Sequence, residues 1–272
     1  MTSIYLVPII VVNKWKEGCS MKSASRQSLI YEYIKKCNEV SSSNIAQYFN
    51  ISPVTVRRYL DKLEANGLIY RKYGKAIIID KSKAEFSFHS RLLANKPYKS
   101  KIASLALPYV RNISTAFFDA STTALEVLKL LPKTHSMTIY ASNTAIIDYL
   151  HDYTNINLFI LGGFLSKIDE TTLDSETTIN IARQIYVDAA FISCGGFSSN
   201  GFFDNATSGI EVKRVMLQNS EHNFLLADHT KYNSNGIFLV DTWTPINTLI
   251  CDSSFDKKTE LLLAKRNIDV IY

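Results

Sequence analysis

Arg57 and Arg58 stand side by side in the run that begins Ser52-Pro-Val-Thr-Val, and Lys62, Arg71, Lys72 and Lys75 follow closely. Six cations packed this densely suit a phosphate backbone, although a solvated charged face is the commoner use of such a run. A second set of residues lies further on. Asp119-Ala-Ser121-Thr122-Thr123, Ser142-Asn143, Gly162-Gly163, Gly195-Gly196 and Asp228-His-Thr-Lys231 each follow an apolar run. Hydroxyls and free N–H groups at a helix start bind anions, so Ser121 to Thr123 is the expected phosphate cradle. Lys231 would add charge to it, and Asp119, Asp188 or Glu211 would accept sugar hydroxyls. The same residue types also build ordinary turns and N-caps. Five such loops at one sheet edge outweigh that plainer use.

The elements that must hold the cations are helical. Leu29, Ile30, Tyr33, Ile34 and Cys37 form the apolar stripe of a helix ending near Asn38, with Cys37 expected as a small buried hydrophobe. Ser41 to Ser43 offer N-cap hydroxyls for a second short helix, which buries Ile45, Ala46 and Phe49 and closes at Asn50. Ser52-Pro53 starts a third, with Val56, Leu60 and Leu63 inward and Asn66-Gly67 as its stop. Two helices joined by a tight turn make a helix-turn-helix, here with Thr55, Arg58 and Lys62 on the outward face and Arg57 at its flank. The run after Gly67 reads as two short strands around Gly74. Arg71, Lys72, Tyr73 and Lys75 lie at or near its tip, as in a basic wing that meets the phosphate backbone or the minor groove. The expected DNA-binding residues are Ser43, Ser52, Val54, Thr55, Arg57, Arg58, Lys62, Arg71, Tyr73 and Lys75.

The second set needs a different scaffold. TAFFD, MTIYAS, INLFILGG, DAAFISCGG, HNFLLAD and TLICD are strand-like, and the first four are each followed by a helical pattern. Such alternation predicts an α/β sheet with mostly parallel strands, and ligands of open α/β sheets sit beyond the carboxyl ends of the strands. The expected organisation is an extension over 1–21, a winged helix-turn-helix over 22–80, a linker over 81–98 and an effector-binding domain over 99–272.

Charge follows this division. Between Lys22 and Lys83 there are twelve Lys and Arg against five Asp and Glu, whereas residues 84–272 carry sixteen against nineteen. A polyanion partner is therefore expected for the first part alone. Cys19, Cys37, Cys194 and Cys251 are far apart, without a CxxC pair or histidines at metal spacing, so a reducing cytoplasm is expected, with no metal and no cofactor. IYLVPIIVV near the start is nine residues broken by Pro8, where a spanning helix needs about 20. It lacks a basic flank, which argues against a signal peptide. Lys16-Glu17-Gly18 can be encoded by a purine-rich ribosome-binding sequence just upstream of Met21, so Met21 is the expected natural start. The intact mass of the native protein tests this.

At this point the residues reach a family. Val40-Ser41, Ile45-Ala46, Ile51-Ser52, Thr55-Val56-Arg57-Arg58, Leu60, Leu63-Glu64, Gly67, Arg71, Gly74 and Ala76 resemble the N-terminal signature of the DeoR family of bacterial transcriptional regulators. The family's acidic residue after the arginine pair is Tyr59 here, and its His-Gly-Gly-Ala wing is Tyr73-Gly74-Lys75-Ala76, changes expected to alter the operator or strengthen phosphate contact. Lys99, Ile102-Ala103, Phe118-Asp119, Ser121-Thr122-Thr123, Ser142-Asn143, Leu161-Gly162-Gly163, Asp188 with Phe191, Gly201, Glu211, Lys213, Ala227-Asp228, Lys231 and Cys251-Asp252 resemble its C-terminal sensor domain. The resemblance implies a fold similar to ribose-5-phosphate isomerase and a phosphorylated sugar as effector. The expected effector-binding set is Asp119, Ser121, Thr122, Thr123, Ser142, Asn143, Gly162, Gly163, Asp188, Gly195, Gly196, Glu211, Lys213, Asp228 and Lys231.

A sugar-phosphate-responsive DNA-binding regulator, most simply a repressor of a carbohydrate uptake or catabolic operon, is the expectation. The linker, with Phe86, Phe88 and Arg91, would carry the signal, and half-site geometry calls for a homodimer or homotetramer. The competing class is an aldose–ketose isomerase with an accessory head. That chemistry needs a carboxylate of tuned pKa beside the substrate carbon, for which Asp119, Asp188 and Glu211 are the candidates, and no acid–base constellation around them is visible in sequence.

Overall fold

Ser41 shows how locally the first unit is specified. Its hydroxyl accepts the Asn44 N–H at 3.1 Å and so starts helix α2 (Ser42–Phe49), which closes on Asn50 in the left-handed conformation. Helix α1 (Ser23–Cys37) precedes it, and α3 (Pro53–Ala65) follows with Ser52 capping Thr55. Ile30 and Ile34 of α1, Ile45 and Phe49 of α2, and Val56, Tyr59, Leu60 and Leu63 of α3 meet in one core. Cys37, expected inside, is exposed. It is the last residue of α1, and the chain turns away at left-handed Asn38, leaving that final turn uncovered.

The wing is a three-stranded antiparallel sheet rather than a simple hairpin. Strands β1 (Glu39–Ser41), β2 (Ile69–Lys72) and β3 (Lys75–Ile78) lie in the order β1-β3-β2. At three residues, β1 is too short for a periodic signal. Lys72 pairs with Lys75 across a two-residue turn, Tyr73-Gly74, and both turn residues have positive φ, +49° and +75°. That is the turn whose twist matches a hairpin.

The computed structural model describes residues 23–65, 68–78, 88–167, 169–234 and 236–272. Met21 and the residues before it, the Asn66-Gly67 stop and residues 79–87 of the linker region lie outside them. The chain divides into two units, Met1–Ile79 and Asp80–Tyr272. No described helix is long and apolar enough to cross a membrane.

In the second unit, helices α4 (Phe88–Leu93) and α5 (Lys96–Val110) lead into β4 (Thr115–Phe118), α6 (Thr122–Lys129), β5 (Met137–Ala141), α7 (Ile147–Leu150) and β6 (Ile156–Ile160). Then come α8 (Glu176–Ala182), β7 (Val187–Ser193), β8 (Gly196–Ser198), β9 (Gly201–Asp204), α9 (Ile210–Gln218), β10 (Ser220–Leu226), β11 (Phe238–Asp241), β12 (Thr248–Ile250), α10 (Lys257–Ala264) and β13 (Asp269–Ile271). Seven strands form one sheet in the order β13-β12-β10-β7-β4-β5-β6, parallel at every pairing. Its central strands are apolar almost throughout because both faces are covered.

Phe118, Phe191 and Phe224 stand side by side on β4, β7 and β10. Their rings stack at 5.0 and 4.6 Å between centroids. Strands β8, β9 and β11 make a separate small antiparallel sheet, which the strand-and-helix alternation did not suggest. Because successive parallel strands begin at the same edge, the polar turns after β4, β5, β6, β7 and β10 all emerge at the opposite one.

Candidate functional site

On the first unit, the outward face of α3 carries Val54, Arg57, Arg58 and Lys62, all exposed, with Val54 79% accessible. Thr55 is half-buried, and its hydroxyl lies 2.8 Å from that of Ser52, so these two close the helix start. Ser43 is exposed, 2.9 Å from the Ser41 hydroxyl. Tyr73 projects from the wing tip at 91% exposure, with the Lys72 ammonium 5.5 Å from its ring centroid. Tyr59 is not an outward residue at all. It falls three positions after Val56 and is buried with it, so the altered charge there acts on the core rather than at an operator.

Two wing cations have partners within the unit. Arg71 donates from Nε to Glu64 Oε2 at 2.8 Å, and its guanidinium also pairs with Asp61 at 2.7 Å, which clamps β2 to the end of α3. Burial pulls its pKa down, and the two carboxylates more than reverse this. Lys75 pairs with Glu39 at 2.8 Å, both half-exposed.

On the second unit, a cleft of about 240 Å³ opens at the carboxyl ends of the strands. Ala120 to Thr123, Ser142, Ser193 to Gly195, Asp228 and Lys231 line it, together with Arg91, Ala94, Asn95 and Lys99 from the chain's approach to the sheet. Asp169, Thr172 and residues of 204–213 complete the wall. Ser121 caps α6 by accepting the Ala124 N–H at 3.1 Å. First-turn amides have no intrahelical acceptor, so Thr122 and Thr123 bring anion-binding groups to the cleft.

The cations of the cleft are not equivalent. Lys213 is largely covered between Asp204, at 2.6 Å, and Asp119, at 3.3 Å, and donates to the Ser193 carbonyl at 2.8 Å. Burial opposes its charge, but the two carboxylates hold the ammonium well above the usual lysine pKa. Arg91 is paired with Asp169. Lys99 is 4% exposed and donates to the Ala94 carbonyl at 2.7 Å and to the Arg91 carbonyl. Burial, then the nearby positive charges of Lys231 and Arg91, bring its pKa down to about 7, against the pull of Asp228 and Glu126. Lys231 donates to the Ser193 hydroxyl at 3.1 Å. Lys99 and Lys231 are thus the two cations whose charge is least answered by carboxylates.

One acceptor in the cleft is unanswered. Asp228 Oδ1 takes the Thr230 N–H at 3.2 Å, the Thr230 hydroxyl and the Asn95 amide at 3.3 Å. Its Oδ2 is buried without a hydrogen-bond donor, with the Lys231 ammonium 4.0 Å away. A buried carboxylate oxygen in this condition is costly unless something else supplies a donor.

Several expected effector residues lie elsewhere. Asp188 stands at the amino end of β7, where its Oδ2 accepts the Thr115 and Ser114 N–H groups at 2.8 Å each, and these bonds hold it below the usual carboxylate range. It ties two strands together at the edge away from the cleft. Glu211 faces outward and pairs with Arg214, because a position two residues from Lys213 points to the other side of α9. Asn143 is buried and caps Ala145 at 2.8 Å. Gly162 and Gly163 turn with φ of +70° and +108° to let Ser175 and Thr178 pack, the Thr178 hydroxyl donating to Gly162 O at 2.7 Å. Gly196 approaches Ser234 so closely that a Cβ would lie 2.1 Å from its carbonyl oxygen. Asp119 is beneath the cleft, its carboxylate taken by Ser121 N, Ser193 N and Lys213. Sequence reasoning missed Asn95, Asp169, Cys194 and Asp204 as lining residues. Of these, Asp204 alone had an indirect signal, since a lysine inside an apolar helix face needs a carboxylate. The Cys194 thiol is pushed up to about 12 by burial, which leaves it an inert wall.

Residues 26–82 match the model of the DeoR-like helix-turn-helix domain, and residues 94–253 that of the DeoR C terminal sensor domain. An uncharacterized HTH-type transcriptional regulator of Haemophilus influenzae is 27% identical over 92% of this chain and 97% of its own. The glycerol-3-phosphate regulon repressor of Escherichia coli is 26% identical over 86% of this chain and 92% of its own, and the HTH-type transcriptional repressor GlcR of Bacillus subtilis is 29% identical over 85% and 89%. Among solved structures, ribose 5-phosphate isomerase A of Methanocaldococcus jannaschii matches with a TM-score of 0.37 and 16% identity over 51% of this chain and 55% of its own, too slight a likeness to speak of shared chemistry. The exposed face of α3 in the first unit and the cleft of the second agree with the two domain models, and the chain belongs to the DeoR family of helix-turn-helix transcriptional regulators.

Proposed function

We propose that the protein represses a carbohydrate uptake or catabolic operon in the cytoplasm and releases it when a phosphorylated sugar or sugar derivative enters the cleft. The observation that carries this reading is the combination of Lys99 and Lys231 beside the start of α6 with the unanswered Asp228 oxygen. The first group suits a phosphate, and the second suits a hydroxyl of the same molecule. The E. coli and B. subtilis relatives are named as repressors, one of them of a regulon named for a phosphorylated polyol. An isomerase is disfavoured because Asp119 is already committed to three donors and Glu211 faces away. The heads act in pairs in a homodimer or homotetramer, since one recognition helix contacts few base pairs.

Thermal unfolding against a panel of sugar phosphates tests the cleft. A member present at 100 times its dissociation constant adds about 2.7 kcal/mol, and Lys231→Met abolishes the shift. Gel-shift titration on the region upstream of the neighbouring genes tests the head. Arg58→Ala costs about 1–3 kcal/mol there and relaxes base preference. A panel without any shift, or a variant with the parent's affinity and preference, refutes the corresponding half.

A further inference from the structure

Arg91 lines the cleft, yet its guanidinium is incompletely answered. Nη2 donates to Asp169 Oδ2, whereas Nε is buried with no acceptor among the described residues. A guanidinium presents its N–H groups as a fixed fork, and an enclosed charged donor without an acceptor is costly. Lys213 is the contrast in the same wall, with two carboxylates and a carbonyl around one ammonium.

The main chain at Arg91 is fixed independently of that guanidinium. Its carbonyl accepts from Lys99 Nζ and, at 3.3 Å, from the Thr122 hydroxyl, and Phe88 at the start of α4 is buried in the core. Asp169 is fixed too. Its Oδ1 accepts the Thr171 N–H at 3.1 Å and the Thr171 hydroxyl at 2.7 Å, its carbonyl accepts the Thr172 N–H at 3.1 Å, and the Leu173 N–H ties the turn to the Ser142 carbonyl. Between two held backbones, the part able to change partner is the Arg91 side chain, which is 35% exposed. Asp169 itself is 6% exposed in the cleft wall, where a bare carboxylate would repel an entering phosphate. Its service there is to keep a guanidinium at hand before the guest arrives.

We infer that Arg91 is a ligand of the effector's phosphate, held in reserve by Asp169, and that on binding its guanidinium leaves the carboxylate and presents Nε and one Nη to two phosphate oxygens. That fork-on-phosphate contact answers the donor which the resting pair leaves empty, and it is a geometry that an ammonium does not offer. This rests on the reading of the cleft as a phosphate-ester site, and it adds which side chain changes partner when the site fills.

The test is titration of the full chain with inorganic phosphate and, separately, with each sugar phosphate of the panel, at constant ionic strength and read by thermal unfolding. Arg91→Met weakens binding about tenfold or more. Asp169→Asn keeps the Oδ1 that Thr171 uses but releases the guanidinium, and it tightens binding about tenfold. In the Arg91→Met background the asparagine brings no gain, because its effect acts through Arg91. An equal gain in both backgrounds would show that Asp169 acts only through its charge on the guest, and a weakening by Asp169→Asn would make the pair a structural tie; either overturns the exchange. If the parent binds and Arg91→Met binds as well, the exchange is wrong and the phosphate cleft stands. If neither the parent nor Asp169→Asn takes up any of these anions, both are overturned.

Discussion

Lys99 allows a test that needs no knowledge of the effector. The ammonium is buried, with Lys231 and Arg91 adding like charge and Asp228 and Glu126 only partly offsetting them, and its pKa falls to about 7. A neutral amine has two N–H donors, and the Arg91 and Ala94 carbonyls take two. The third proton of the charged form has no such partner until an anion arrives. In the unfolded chain the same group titrates at about 10.5. Below pH 7 both states hold the proton. Between about 7 and 10 the folded state has released it while the unfolded state keeps it, so stability rises with pH by up to about 1.4 kcal/mol per unit. From about pH 7.5 to 9 the contribution amounts to about 2 kcal/mol, lost again as the pH falls through 7. Urea unfolding followed by circular dichroism at a series of pH values reads it as the difference in slope between the parent and Lys99→Met. Equal slopes would refute the argument. A saturating phosphate ester, by holding the proton in place, should flatten the parent's slope towards that of the variant.

Other outcomes follow from particular contacts. Lys213→Met leaves Asp119 and Asp204 without their shared cation and should cost about 3–5 kcal/mol in urea, with Asp204→Asn in the same chain recovering part of the loss. Arg71→Ala should loosen the wing by about 1 kcal/mol while leaving the salt dependence of DNA binding as it was, because its charge is already answered by Asp61 and Glu64; a flatter salt slope in gel-shift titrations would make it a phosphate contact instead. Gly163→Ala places a methyl 2.3 Å from the Ser175 and Thr178 hydroxyls at a φ of +108°, and a thermal midpoint equal to the parent's would contradict the packing described for that turn.

What was legible in the sequence was what is encoded locally. Ser41, Ser52 and Asn50 fix helix ends within a few residues of themselves, and the alternation of apolar runs with helical stripes carries the parallel sheet. The cradle of Ser121 to Thr123 was visible because a strand, a turn and a cap lie in one stretch of chain. Arg71 and Lys75 read as free cations because Glu64, Asp61 and Glu39 come close only once the wing folds back on α3 and β1. Asp188 was misplaced for a related reason. An aspartate one residue into a strand looks much like one at its far end until the strand's direction in the sheet is known. Asn95 and Asp169 reach the cleft from separate turns and Asp204 from the end of β9, and no spacing records that.

The stacked rings of Phe118, Phe191 and Phe224 bind the three middle strands side by side. Such stacking resists sliding, so the strand ends just beyond it, which carry Asp119, Ser193 and Asp228, keep a fixed spacing. Any adjustment of the cleft must then come from the parts that close it, among them Arg91 to Lys99 and, joined to it through Asn95, Asp228 to Lys231. The first of these is also the described stretch of the second unit that comes earliest in the chain, so the same residues that line the cleft lead into the sheet.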